Sequence, residues 1–166
     1  RTKIRAIKLK KLTKRLMIPF KDEKFKPFLK FSVIWGIALN IAGPFFLVYF
    51  IEDLELGFFL ISVFLLSDSL GRIYGLNIWR KICDRYGAKP ILHVCVTILA
   101  FVPLIFLFIK KSNTEFIPII FFISAIVFAG VDVALGNLMF KLAPRKYNAY
   151  YLASFSSIHG VASGLG

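Results

Sequence analysis

The sequence predicts an all-α, polytopic membrane bundle, and three observations predict it. Five long apolar segments run at roughly 31–50, 57–79, 91–109, 116–140 and 149–166. A hydrocarbon core of about 30 Å takes about 20 helical residues at about 1.5 Å each, so the first four can span it, and the fifth is still apolar at the last residue. The hydrophobic fraction of 58%, with 19 Phe, exceeds that of ordinary soluble domains. Nineteen of the 22 Lys and Arg residues fall on alternate connections. The stretch 1–30 carries 12 of them, the loop 80–90 carries Arg80, Lys81, Arg85 and Lys89, and the loop 141–146 carries Lys141, Arg145 and Lys146. The two intervening loops hold Glu52, Asp53 and Glu55, and Lys110, Lys111 and Glu115. A serpentine with its basic loops in the cytoplasm satisfies every connection and implies a multi-pass protein of the cytoplasmic (inner) membrane, with the lipid bilayer as its first partner.

Charge placement also decides against other classes. The net charge of +13 is what the positive-inside pattern demands, so no nucleic-acid partner is expected. A basic start followed by an apolar run can imitate a secretory signal, but the basic region is too long and more spans follow. Span lengths count against a peripheral lipid-binding protein. The chain opens mid-pattern at Arg1 and stops inside an apolar run at Gly166, which reads as a fragment of a longer protein, divided into a basic linker (1–30) and a transmembrane domain (31–166).

Residues 1–18 mix Lys and Arg with Ile4, Ile7, Leu9, Leu12, Leu16 and Met17. Their partial helical spacing fits a basic helix on anionic headgroups, and equally a flexible linker. Pro19 and the run from Lys21 to Pro27 punctuate the entry into the first span. That span holds Asn40, Gly43 and Pro44. A Gly-Pro pair removes a backbone hydrogen bond, which membrane helices accept when a neighbour or water satisfies the freed carbonyl.

The second span is the least lipid-like, with Ser62, Ser67, Asp68, Ser69, Arg72 and Asn77 inside it. Asp68 and Arg72 are four apart and share a face. Gly71 and Gly75 form a G-x-x-x-G on a neighbouring face, which invites close approach of another helix. The third span is mostly featureless and suits a lipid-facing position; His93 opens it and Pro103 is expected to kink it. The fourth carries Pro118, Ser124, Asp132 and Asn137. The fifth presents Ala153, Ser156, Ser157, Gly160 and Gly164 as a small-residue stripe, with His159 beside it as a candidate for a polar pathway.

Asp68, Arg72 and Asp132 are charges that a membrane tolerates where they pair or work. An Arg72–Asp132 bridge between spans two and four and an Asp68–Arg72 bridge within one helix compete. The cluster is either a substrate- or proton-responsive group or a structural bridge. An unpaired carboxylate in a low dielectric would titrate nearer neutrality. Catalytic and metal motifs are lacking: no HExxH, no GxSxG and no metal-ligand spacing occurs. No enzyme activity, cofactor or metal is expected. Cys83 and Cys95 form no CxxC and read as packing cysteines.

The loop after the second span reads Trp79-Arg80-Lys81-Ile82-Cys83-Asp84-Arg85-Tyr86-Gly87-Ala88-Lys89-Pro90. It resembles the G-x-x-x-D-R-x-G-R-K signature of the major facilitator superfamily, with Asp84, Arg85, Gly87 and Lys89 matching and Arg80 replacing the opening glycine. Degenerate copies are typical of the second half of these twelve-helix transporters. The entry KDEKFKPFLKF and the closing MFKLAPRKYNAYYLASFSSIHGVASGLG resemble the central loop into helix seven and the tenth-to-eleventh connection of bacterial members. The resemblance implies a central loop plus helices seven to eleven; helices one to five are the alternative placement. It further implies secondary transport of a small solute by alternating access, with coupling to protons left open and the missing helices of the same transporter as partners. Asp84 with Arg85, Gly87 and Lys89 would form a conformational latch. Asn40, Pro44, Asp132 and Asn137 would line the substrate path, with Asp68 and Arg72 contributing from the side. A membrane scaffold or receptor-like protein that keeps the fold is the alternative of a different class.

Overall fold

The computed structural model describes residues 17–165, and the basic amphipathic stretch expected at 1–18 lies almost wholly outside them. The described chain is helical and contains no strand. Five long helices follow one another: α1 (Lys26–Val48), α2 (Phe58–Tyr86), α3 (Ala88–Phe106), α4 (Ile117–Leu142) and α5 (Asn148–Leu165). Among the described residues, four stretches are long and apolar enough to cross a membrane: α1 with its extension, α2, α3, and α4 with the turn before it. The fifth predicted span is the difference. α5 has 18 residues and reads NAYYLASFSSIHGVASGL, and its load of Asn, His, Tyr and Ser keeps its mean hydropathy below that of the apolar stretches in the other four. The chain divides into two compact units.

The first unit joins the described residues up to Phe45 to those from Met139 onward. A helical turn, Ile18–Lys21, starts on the buried Pro19 and packs against α5. α1 then begins at Lys26, earlier than the apolar run suggests, because Pro27 in its first turn needs no amide partner there. Phe25 is fully buried, with its ring 4.6 Å from that of Tyr151, and Phe28 stacks on Phe155. The Tyr151 hydroxyl donates to Asp22 Oδ2 at 2.6 Å. That bond stabilises the ionised carboxylate and holds the Asp22 pKa below its ordinary value.

The second unit runs from Phe46 to Leu138. At the end of this unit away from its basic loop 80–90, α1 continues as a π-helical turn, Tyr49–Asp53, closed by Leu54 N–H to the Tyr49 carbonyl at 3.1 Å. Phe50, Phe64 and Phe106 pack there with Leu54, Leu56, Ile109 and Ile117. Tyr49 donates to the Ile109 carbonyl at 3.0 Å, and Lys111 pairs with Glu55 at 2.8 Å, lowering the Glu55 pKa. α3 is less featureless than its sequence suggests. It buries Ile91, Leu92, Cys95, Leu99 and Phe106 on one side and exposes Val94, Ile98, Phe101 and Leu104 on the other.

α2 and α4 of this unit meet along a close seam. A Cβ built on Gly75 would stand 2.7 Å from the Ile126 carbonyl oxygen and 2.8 Å from its Cα. Gly71 meets the Phe122 backbone and Ala125 in the same way, and Gly130 of α4 meets the Trp79 ring and Cys95. The G-x-x-x-G of α2 thus has α4 as its neighbour. Trp79 Nε1 donates to the Ile126 carbonyl at 2.8 Å, which fixes the two helices in register.

Candidate functional site: an intramembrane charge network and a basic loop

The seam brings three intramembrane charges together. Arg72 Nε donates to Asp68 Oδ2 at 3.0 Å, one helical turn away, and Nη1 reaches Asp132 Oδ2 at 3.1 Å. The two bridges that compete on paper therefore coexist, because a guanidinium has enough donors for two carboxylates. The Arg72 Cζ also lies 5.3 Å from the Phe128 ring centroid, a cation–π distance. The network stays open: the side chains of Asp68, Arg72 and Asp132 are 28%, 42% and 55% exposed.

Asn137 falls elsewhere along the same seam. Its Nδ2 donates to Cys83 Sγ at 3.2 Å, at the end of α2 that leads into the basic loop. Cys83 is buried, and the residue after it is Asp84. Asp84 and Arg85 lie exposed in the last turn of α2, with Arg85 set 5.3 Å over the Tyr86 ring. Gly87 joins α2 to α3 alone, at φ 87° and ψ 159°, a region that is essentially glycine-only. Its N–H closes α2 on the Cys83 carbonyl at 2.9 Å. Lys89 is exposed in the first turn of α3. Within this loop the glycine has a backbone reason, whereas Asp84 takes no ion pair among the described residues.

Asn40 and Pro44 belong to one local feature of α1. Pro44 has no N–H for the carbonyl four residues before it, which is that of Asn40. The Asn40 side chain turns back and donates to the Gly36 carbonyl at 2.8 Å. A Cβ on Gly43 would meet nothing within 4 Å among the described residues. The His159 side chain lies outside the described residues.

Sequence reasoning missed the contacts of Trp79, Phe128, Cys83 and Tyr151. Each acts through a partner distant in the chain or on another helix turn, and neither spacing nor composition signals which carbonyl, cation or amide a single aromatic or thiol will meet. Among the described residues no group of three or more His, Cys, Asp or Glu could hold a metal ion.

Helices long and apolar enough to cross a membrane, packed along a small-residue seam, mark an integral, multi-pass membrane protein. The family model described as Major Facilitator Superfamily matches residues 1–166, and the chain belongs to that superfamily, whose members are membrane transporters. No curated protein and no solved structure matches the chain.

Proposed function

We propose that the chain serves a secondary active transporter that moves a small solute by alternating access, with the Asp68–Arg72–Asp132 network on the solute path. The observation that carries the reading is that these charges are paired yet open, on helices built to cross a membrane. Charges facing lipid cost a few kcal/mol or more each (about 2.5–3.5 on insertion scales). A network with this much exposure therefore belongs against water or against polar protein, as a translocation path provides.

Its wiring also suits proton coupling. Arg72 is shared by a carboxylate on its own helix and one on α4. Protonating either carboxylate weakens one bridge and leaves Arg72 to the other, so a proton can be exchanged for a local rearrangement. Within the first unit, the Asn40 carbonyl that Pro44 leaves without its usual amide is a polar group suited to a solute. Asp84, Arg85 and Lys89, held at the Gly87 corner, would act as the latch for one state of the cycle.

The test is flux by the full-length protein in proteoliposomes against a panel of solutes, with and without an imposed pH gradient. Asp68→Asn, Asp132→Asn and Asp84→Asn are run beside it, each checked for folding. Gradient-driven uptake abolished by either intramembrane variant supports the reading. Flux indifferent to gradient and variants would reduce the network to a packing element.

A further inference from the structure

The first unit ends, on its basic side, in a structured foot. The turn Ile18–Lys21 and the residues to Lys26 are not a loose linker: Pro19 and Phe25 are buried, the turn packs on α5, and Asp22 is clipped to Tyr151 in the first turn of α5. The 3-10 turn Arg145–Tyr147 leads directly into that same turn of α5. Lys21, Lys24, Arg145 and Lys146 are thereby gathered at one end of one unit, all exposed. Of the acidic residues nearby, Glu23 pairs with Lys26, and Asp22, ionised and bonded by the neutral Tyr151 hydroxyl, offsets only one of these four cations. Among these cations sit two exposed apolar side chains, Met17 at 58% and Phe20 at 45%.

We propose that this foot is a binding surface for anionic phospholipid headgroups on the membrane face where the basic loops lie, with Met17 and Phe20 inserted at the level of the acyl boundary. Three features favour that occupant. The excess cations complement a phosphate layer. The apolar pair beside them matches the make-up of interfacial anchors. The foot is continuous with α1 and α5, so the protein's own place in the bilayer brings it to headgroup depth. Lysines near such a surface are each attracted by an energy that concentrates anionic lipid locally. The clip to Tyr151 means the backbone that carries the cations is already ordered, so less conformational entropy is lost on binding.

The experiment places Phe20→Trp in the full-length protein, reconstituted in phosphatidylcholine bilayers with a minority of phosphatidylglycerol. Bromine is carried on one lipid or the other, and the signal of the unmodified protein, to which Trp35 and Trp79 contribute, is subtracted. Quenching by brominated phosphatidylglycerol should exceed that by brominated phosphatidylcholine by about threefold at equal mole fraction. The ratio should fall towards one with added salt and in the combined Lys21→Gln, Lys24→Gln, Arg145→Gln, Lys146→Gln variant, while quenching by brominated phosphatidylcholine persists. A ratio of one in the basic background, or a ratio unmoved by salt, overturns the proposal; the salt arm holds even where the quadruple variant does not fold. Neither arm depends on transport, so the outcome stands apart from the flux reading.

Discussion

Arg72 and Asp132 lie 60 residues apart in sequence and meet at 3.1 Å. The contact exists because Gly71 and Gly75 let α2 and α4 approach to backbone distance. Those glycines flank Arg72, so the residues that bring the helices together also set the guanidinium beside its second carboxylate.

Asp132→Asn keeps the shape and removes the charge. With the pair this exposed, the change should alter thermal stability by no more than about 1 kcal/mol. Solute flux should fall by more than about tenfold, which on the activation side corresponds to about 1.4 kcal/mol. Melting in detergent and initial uptake rates, measured on one preparation, separate the two; a large loss of stability with unchanged uptake per folded molecule contradicts the expectation.

Gly75→Val should be costly and Gly43→Ala should not. The first drives a branched side chain into the Ile126 backbone, an overpacking worth about 1–3 kcal/mol. The second meets open space and adds helix propensity of about 0.5–1 kcal/mol. Comparing the two melting temperatures checks both signs at once.

Gly87→Ala forces a Cβ into a backbone region that only glycine occupies comfortably. A loss of about 1–3 kcal/mol is expected, with α2 and α3 intact by circular dichroism. Lys89→Ala, an exposed neighbour in the same loop, is the control and should melt within about 0.5 kcal/mol of the parent.

Acid should loosen the first unit through Asp22. Its pKa is depressed by the Tyr151 hydroxyl, so the folded state holds the carboxylate ionised more strongly than the unfolded chain does. The resulting stabilisation is fully present above the ordinary value of 3.8 and is lost as pH falls from there through the lower folded value. In Tyr151→Phe the melting temperature should start lower and depend less on pH across that window. Parallel acid limbs in the two proteins would count against the assignment.

Much of the architecture was legible in the sequence because hydrocarbon thickness and the placement of Lys and Arg constrain it directly. The G-x-x-x-G and the four-residue spacing of Asp68 and Arg72 could be read for the same reason: a helix face is a matter of arithmetic. The start of α1 at Lys26 was not legible, since Lys and Pro look like an entry loop until the proline is seen to occupy a first turn that needs no amide. The partners of Trp79, Asn137 and Tyr151 were hidden too. Each is a single hydrogen bond across 47, 54 or 129 residues, and such pairings follow from how the helices pack. α5 is helical where a span was expected, yet less apolar than the membrane-length stretches of the other four, because an unbroken run free of Lys and Arg conceals how many of its residues bear hydroxyls.

The one-residue corner at Gly87 bears on how force travels. Between Tyr86 and Ala88 there is no spare length of chain, so an axial push on α2 cannot be taken up as slack. The start of α3 is tied to the end of α2 there, while the bond from Trp79 to Ile126 ties α2 to α4. The basic loop 80–90 thus has a one-residue covalent link into α3 and, through Trp79, a hydrogen-bonded one into α4 near the depth of Arg72.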